Sequence, residues 1–495
     1  MAVAAGHSVY AASARPFYNV MDYGAVPDGK TLCTKSIQKA IDECAKAGGG
    51  RVIVPGGKFL TGPIFLKSNI NLEITAGATL LGSTNFDDYP VIDGRWEGIE
   101  RKVYASLITG IDLENVSITG RGTLDGQGKV WWEAKAKTKE IRKKHGITER
   151  EPENPPESPL KWPRARTINL YRCKNILISG IKLTNSPAWT IHPVYCENLT
   201  VDGVSIFQPD DSPNTDGINP DSCKNVRISN CYLDCGDDCI TLKSGYNEDG
   251  RRVGIPCENI SITNCTMAHG HGGVVVGSEM SGDVRNVTIS NCVFDGTQRG
   301  LRIKSTRGRG GVVENIRASN IVMRDNDTAF SITTYYGGAL TTKPEVNEGT
   351  PVFRNFHWSD IIVTGSKQLA TIEGLPEMPL EDISLSNIMV VSTEKGIECS
   401  TVDGIVFDNI RVSPDKGPAL TVKDSSNIEI YRFTNPKPDK DVPVIVFENV
   451  DTALVQSCTA AKGTGTFLEK KGGANKDITM TNNRLSKAVK GIEEK

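Results

Sequence analysis

The strongest constraint on this chain is a phrase that keeps returning: an Asn or Asp, then apolar residues at alternate positions, then in most copies a second Asn or a Gly. It reads NVSITG from Asn115, NILISG from Asn175, NLTVDG from Asn198, NVRISN from Asn225, NISITN from Asn259, NVTISN from Asn286 and NIRASN from Asn315. Looser copies begin at Asn355, Asp382, Gly404, Asn427, Asn449 and Asp477. From Asn175 the starts are separated by 23, 27, 34, 27, 29, 40, 27, 22, 23, 22 and 28 residues. A period in this range marks a solenoid. Short alternation rich in Val, Ile and Thr is a strand pattern and not a helical one. Strands that come round once per coil without intervening helices stack in parallel. The expected fold is therefore all-β, a right-handed parallel β-helix that buries its inward side chains on the coils above and below. The Asn opening each phrase can bond its neighbours at a turn, which makes a structural ladder without catalytic meaning.

A solenoid needs its ends covered. Between Thr34 and Ala47 the apolar residues Ile37, Ala40, Ile41 and Cys44 are spaced as on one helical face, and Gly48-Gly49-Gly50 stops the run, which predicts an N-terminal capping helix. The coil rhythm breaks once, because Asn115 to Asn175 spans 60 residues. The insertion, at about 126–162, carries Trp131-Trp132, then AKAKTKEIRKKHG, then the Pro-rich EPENPPESPLKWP. It reads as a long irregular loop bordering a site. Its Trp131, Trp132 and Trp162 either stack on sugar rings or pin the loop to the coils. Residues 1–15, with the cleavage-like Ala12-Ser13-Ala14, read as an export-signal remnant or a tail. Residues 16–495 then form a single β-helical domain.

Composition removes several classes. The 57 Lys and Arg against 59 Asp and Glu leave no cationic surplus for coating nucleic acid or an anionic membrane. No apolar run reaches the roughly 20 residues a bilayer crossing needs. The 13 cysteines show no paired C-x-x-C frame, which disfavours a zinc module. They read as small buried core residues in preference to a disulfide ladder. No cofactor is expected, and a monomer is.

Acidic residues carry the sharpest chemical signal. Asp216, in SPNTDGINP, and Asp237-Asp238, in CGDDCITLKSG, lie 21 residues apart, about one coil, so parallel stacking gathers three carboxylates on one patch. Charges that close repel, and at least one pKa should rise. A protonated carboxyl beside ionised ones is what glycoside hydrolysis requires. Calcium binding and a plain acidic turn are the other readings of the same residues. Later coils add His271, in GHG, and Arg302 and Lys304, in R-I-K, which share one strand face because the side-chain period is two. Two cations beside an acidic site suit an anionic substrate.

The set NTD, DD, GHG and RIK, in this order on a β-helix, resembles the polygalacturonases of glycoside hydrolase family 28. DYGAVPDG (Asp22 to Gly29), NSPAWTIHPV (Asn185 to Val194) and Tyr336 in TTYYGG are similar to that family as well. The resemblance covers about residues 18–340. It implies that Asp237 is the general acid, that Asp216 and Asp238 activate the attacking water, and that His271 tunes the acid. It implies that Arg302 and Lys304 bind a galacturonate carboxylate beside Tyr336, with Asn214 also in the substrate site. It further implies inversion by single displacement without a metal, a pectic substrate, and a secreted or periplasmic location.

Three function classes compete: an inverting pectin hydrolase acting on polygalacturonate or on another pectin backbone such as rhamnogalacturonan, a calcium-dependent pectate lyase, and a non-catalytic polysaccharide-binding solenoid. The insertion just before the Asp216 coil is long enough to wall off one end of a groove, which favours exo attack from the non-reducing end.

Overall fold

The structure, a computed structural model, describes residues 17–148, 154–338 and 343–494. Residues 1–15 lie outside the described residues. The recurring phrases are strands, and they pair in parallel with the same phrase one coil earlier and one coil later. Their register stacks like on like: Val116, Ile176, Leu199, Val226, Ile260 and Val287 are successive partners, all buried. These inward rows are the core of a right-handed parallel β-helix.

At each turn into this sheet the opening Asn takes a left-handed conformation, with φ between 55° and 61° from Asn115 to Asn355. Asn tolerates that region because its short amide bonds locally. Each amide also bonds its counterpart in the coil before. Asn115 donates to Asn69 at 2.9 Å, Asn175 to Asn115 at 3.1 Å, Asn198 to Asn175 at 3.2 Å and Asn225 to Asn198 at 3.1 Å, and the ladder runs on through Asn259, Asn286 and Asn315. Buried on no face and repeated at every rung, it serves the fold.

The capping helix spans Thr34–Lys46 and buries Ile37, Ala40, Ile41 and Cys44 against the first coils. All 13 cysteines are free thiols and buried. No helix among the described residues is long and apolar enough to cross a membrane.

The insertion departs from the loop expected of it. Residues Lys129–Lys144 form a helix of more than four turns. Trp131 and Ala134 are the apolar anchors of its buried side, and the rest of its surface is so rich in lysine that the helical stripe is thin. Trp131 is fully buried between Phe86, Tyr89 and Tyr104, with ring centroids 4.4, 4.9 and 5.5 Å away, so it pins the helix and does not stack on sugar. Trp132 is committed too, its indole N–H donating to the Ser186 carbonyl at 3.0 Å.

A second excursion has no counterpart in the sequence reading. Strands Val91–Trp96 and Ile99–Tyr104 form an antiparallel hairpin closed by Glu97 and Gly98, both with positive φ, 47° and 78°. That is the two-residue turn whose twist matches paired strands. The Gly98 carbonyl accepts from the Tyr246 N–H at 3.0 Å, so close that a Cβ on Gly98 would lie 2.7 Å from that nitrogen. Arg95, buried, reaches from the hairpin to Asp221 at 2.9 Å.

Candidate active site

One face of the solenoid is built by short strands Ile191–Val194, Ile240–Leu242, Val274–Val276, Arg299–Lys304 and Thr328–Thr333. Ile240, Val274, Leu301 and Phe330 are successive partners pointing into the core, so Thr241, Val275, Arg302 and Ser331, one residue on, point out. The carboxylates sit at the entry to this face. The Gly217 N–H donates to the Asp238 carbonyl at 3.0 Å, and Ile218 bridges Ile240, so Asp216 lies directly beside Asp238, one residue off the Asp237 register that a 21-residue spacing suggests.

Asp216, Asp237 and Asp238 each bring an oxygen to within 4.8 Å of the others. Asp216 and Asp238 are 3% and 2% exposed, whereas the Asp237 side chain is 21% exposed and faces the cleft. Lys304 Nζ lies 2.8 Å from Asp238 Oδ2, and Arg302 Nη1 lies 3.6 Å from Oδ1. Oδ1 of Asp216 and Oδ1 of Asp238 are buried without a hydrogen-bond donor among the described residues. His271 Nδ1 is 2.9 Å from Asp237 Oδ1, which also accepts from the Asp238 N–H at 3.0 Å. The His271 N–H in turn donates to the Asp237 carbonyl at 3.1 Å. Gly270 permits this approach: its φ is 128°, and a Cβ there would lie 2.5 Å from the Asp237 carbonyl oxygen.

The Tyr336 ring lies under both cations, 5.5 Å from the Arg302 guanidinium carbon and 5.1 Å from Lys304 Nζ. Tyr335 instead meets Arg307. Asn214, two residues before Asp216, has its Oδ1 accepting from Lys135 and from Arg164, each at 2.6 Å. The structure thus brings together the eight residues singled out in the sequence.

Their charges are unequal. Burial, reinforced by the neighbouring Asp237 charge, pushes the Asp216 carboxyl well above the usual range. Burial would raise Asp237 too, but the hydrogen bond and charge of His271 outweigh it and hold Asp237 below its ordinary value, while the same bond raises His271. In the free protein the raised carboxyl is therefore Asp216 and not Asp237. Beneath the cluster a buried ion pair, Lys243 Nζ to Glu279 Oε2 at 3.0 Å, limits the rise of Asp216. Burial opposes the ionised form of Glu279, and Lys243 overrides it, taking that carboxyl down to about 2.

The sequence reading missed Arg164, Lys135, Lys243, Glu279 and the hairpin. Lys243 sits in CGDDCITLKSG, a stretch quoted above for its aspartates, where a charged residue directly after an apolar strand run was the available signal. The runs VIDGRW and IERKVY on either side of Glu97-Gly98 do not alternate apolar and polar residues, so the hairpin carried no pattern signal.

A parallel β-helix whose outer face gathers three carboxylates, a histidine and two cations defines a β-helical glycoside hydrolase. Comparison with known proteins agrees. Residues 44–412 match the model of the glycosyl hydrolases family 28. The chain is 36% identical over 421 residues to a probable polygalacturonase of Vitis vinifera, covering 81% of this chain and 82% of that protein. It is 31% identical to an endo-polygalacturonase of Pectobacterium carotovorum subsp. carotovorum, covering 73% and 85%. The crystal structure of a hyperthermoactive exopolygalacturonase from Thermotoga maritima is similar at 36% identity and a TM-score of 0.68, covering 79% of this chain and 91% of that one. The chain belongs to the glycosyl hydrolases family 28.

Proposed function

We propose that this enzyme hydrolyses α-1,4-galacturonosidic bonds of polygalacturonate with inversion, working from the non-reducing end. The observation that carries the substrate is the placement of Arg302 and Lys304 beside the carboxylates and over the Tyr336 ring. A forked guanidinium and an ammonium next to a sugar-stacking ring suit a uronate carboxylate better than a neutral sugar. The similar proteins named above, two of them polygalacturonases of stated endo or exo mode, support the same substrate class.

Asp237 is the acid in this reading because it is the carboxyl that reaches the cleft. A substrate carboxylate at Arg302 and Lys304 adds negative charge and excludes water, and both raise Asp237. The proton that Asp216 holds in the free enzyme then passes to Asp237, which gives it to the leaving oxygen. Asp216 and Asp238, both ionised, then activate the water, and one of them takes its proton as the water oxygen bonds to the anomeric carbon.

The carboxylate spacing is shorter than the roughly 6.5–9.5 Å of most inverting pairs. A single water donating to two oxygens at about 2.8 Å each spans about 4.5 Å, and one oxygen of each of the three carboxylates lies within 4.8 Å of the others.

Exo attack is supported by the walls. The Lys129–Lys144 helix is tied to Asn214 through Lys135, and the hairpin runs from Arg95 at Asp221 to Gly98 at Tyr246. Both precede the Asp216 coil in the chain. The natural place of such an enzyme is outside the cytoplasm, secreted or periplasmic, where the polymer is.

The test follows viscosity against reducing ends on polygalacturonate and, in parallel, on rhamnogalacturonan. A slow viscosity fall with monomer or dimer appearing at once supports the reading. A steep early fall contradicts exo attack, preference for rhamnogalacturonan contradicts the substrate, and a calcium-dependent, UV-absorbing unsaturated product contradicts hydrolysis.

A further inference from the structure

Lys243 is a buried cation directly after an apolar strand, Ile240–Leu242. Leu242, Val276 and Ile303 are successive partners pointing into the core, so Lys243, Gly277 and Lys304, one residue on, form an outward row. The two lysines of this row divide the acids between them. Lys304 Nζ donates to Asp238 at 2.8 Å, and Lys243 Nζ donates to Glu279 at 3.0 Å. The Lys243 ammonium also lies 4.7 Å from the centre of the Trp189 ring, on which Trp96 of the hairpin stacks at 5.3 Å. Asp221, which Lys243 bridges in the coil before, is taken up by Arg95 at 2.9 Å, and burial takes the neighbouring His192 down to about 4, so that it is neutral at neutral pH. Asp216 is buried as deeply, with Oδ1 undonated among the described residues. It faces Asp237 and Asp238, the cations Lys243, Lys304 and Arg164, and the Cys235 thiol. Burial and the Asp237 charge raise it, and of these cations Lys243 opposes the rise most.

We propose that Lys243, held in place by Glu279, is the counter-charge that sets where Asp216 releases its proton, which makes it a positioning residue of the catalytic cluster. Burial disfavours the Lys243 charge, but Glu279, Asp216 and Asp238 override that, so the residue stays an ammonium. A cation out of water acts on a buried carboxylate more strongly than one at a surface does. Glu279 moderates it from the other side, itself facing Lys243, Arg309 and Lys304. The two partners are thus opposed in effect: taking away the Lys243 charge should tighten the proton on Asp216, and taking away the Glu279 charge should loosen it. An ion pair that served only the fold would answer alike to the loss of either partner. The proposal rests on the hydrolytic mechanism above for the use of that proton, which there passes from Asp216 to Asp237 and on to the leaving oxygen.

The experiment titrates the free enzyme by infrared difference spectroscopy, following the protonated-carboxyl band that Asp216→Asn removes, and records the pH dependence of kcat/KM on polygalacturonate beside it. Lys243→Met should move the Asp216 titration, and with it the alkaline limb of kcat/KM, up by about one pH unit. Glu279→Gln should move both down, and Lys243→Arg should restore the parental values. Where Lys243→Met does not fold alone, the double variant Lys243→Met with Glu279→Gln is compared with Glu279→Gln, from which it differs only at Lys243, and the band should again move up by about one unit. A band that stays at its parental pH in the folded variants overturns the proposal, and so does a shift in the same direction on losing either partner. A band that shifts as stated while the rate profile does not follow upholds Lys243 as the counter-charge and contradicts the mechanism in which the Asp216 proton is the one delivered.

Discussion

Lys304 Nζ lies 2.8 Å from Asp238 Oδ2 although 66 residues separate the two in the chain. One coil lies between them, and both partners are buried, 6% and 2% exposed. The same ammonium is the group assigned to the substrate carboxylate, so one cation both holds the base and reads the substrate.

Lys304→Ala should therefore act twice. Leaving the buried Asp238 carboxylate with only the more distant Arg302 should cost about 3–5 kcal/mol of stability, read by denaturant unfolding. Activity should fall much further on de-esterified polygalacturonate than on its methyl ester. Equal losses on the two substrates would assign the cation to the fold alone.

Asp237→Asn should reduce hydrolysis by at least about a thousandfold while circular dichroism stays that of the parent, because an amide fills the same space and cannot deliver a proton. Asp216→Asn and Asp238→Asn should leave measurable residual rates, since the two share the water. Near-parental turnover by the Asp237 variant would remove it as the acid.

The His271–Asp237 contact sets a pH window for stability. His271 is raised above 6.5, so its contribution is full below about pH 6.5 and is lost as pH rises through its folded value. Asp237 is lowered below 3.8, so its contribution is full above about pH 3.8 and is lost as pH falls through its folded value. The melting difference between the parent and His271→Asn should therefore be largest from about pH 4 to 6.5 and vanish in alkali. A difference that grows with pH would contradict the pairing.

Trp131→Ala should destabilise the protein by about 3–5 kcal/mol through the cavity left among Phe86, Tyr89 and Tyr104, and leave the affinity for trigalacturonate in the folded fraction unchanged. A selective loss of binding at parental stability would return Trp131 to the sugar.

What could be read in advance follows from repetition. The Asn ladder and the inward rows were legible because each rung restates the same phrase, and Asp216, Asp237, His271 and Arg302 were legible because that rhythm gives each a coil. The helix at Lys129–Lys144 was not, since its buried stripe rests mainly on Trp131 and Ala134 and is masked by lysines. The hairpin was not, because it belongs to no coil. The position of the raised pKa was hidden as well: it depends on which carboxylate the solenoid buries and which meets His271, and the Gly270 backbone decides that.

The central claim is direct displacement by water held between Asp216 and Asp238, with Asp237 as the acid. Proton NMR of the first product released from polygalacturonate, recorded before mutarotation, tests it most directly. Hydrolysis of the α-linked polymer should give the β-anomer first, with the α-anomer growing in at the rate of mutarotation. An α-anomer present from the start would mean a covalent intermediate on one of the three carboxylates, and would contradict the account.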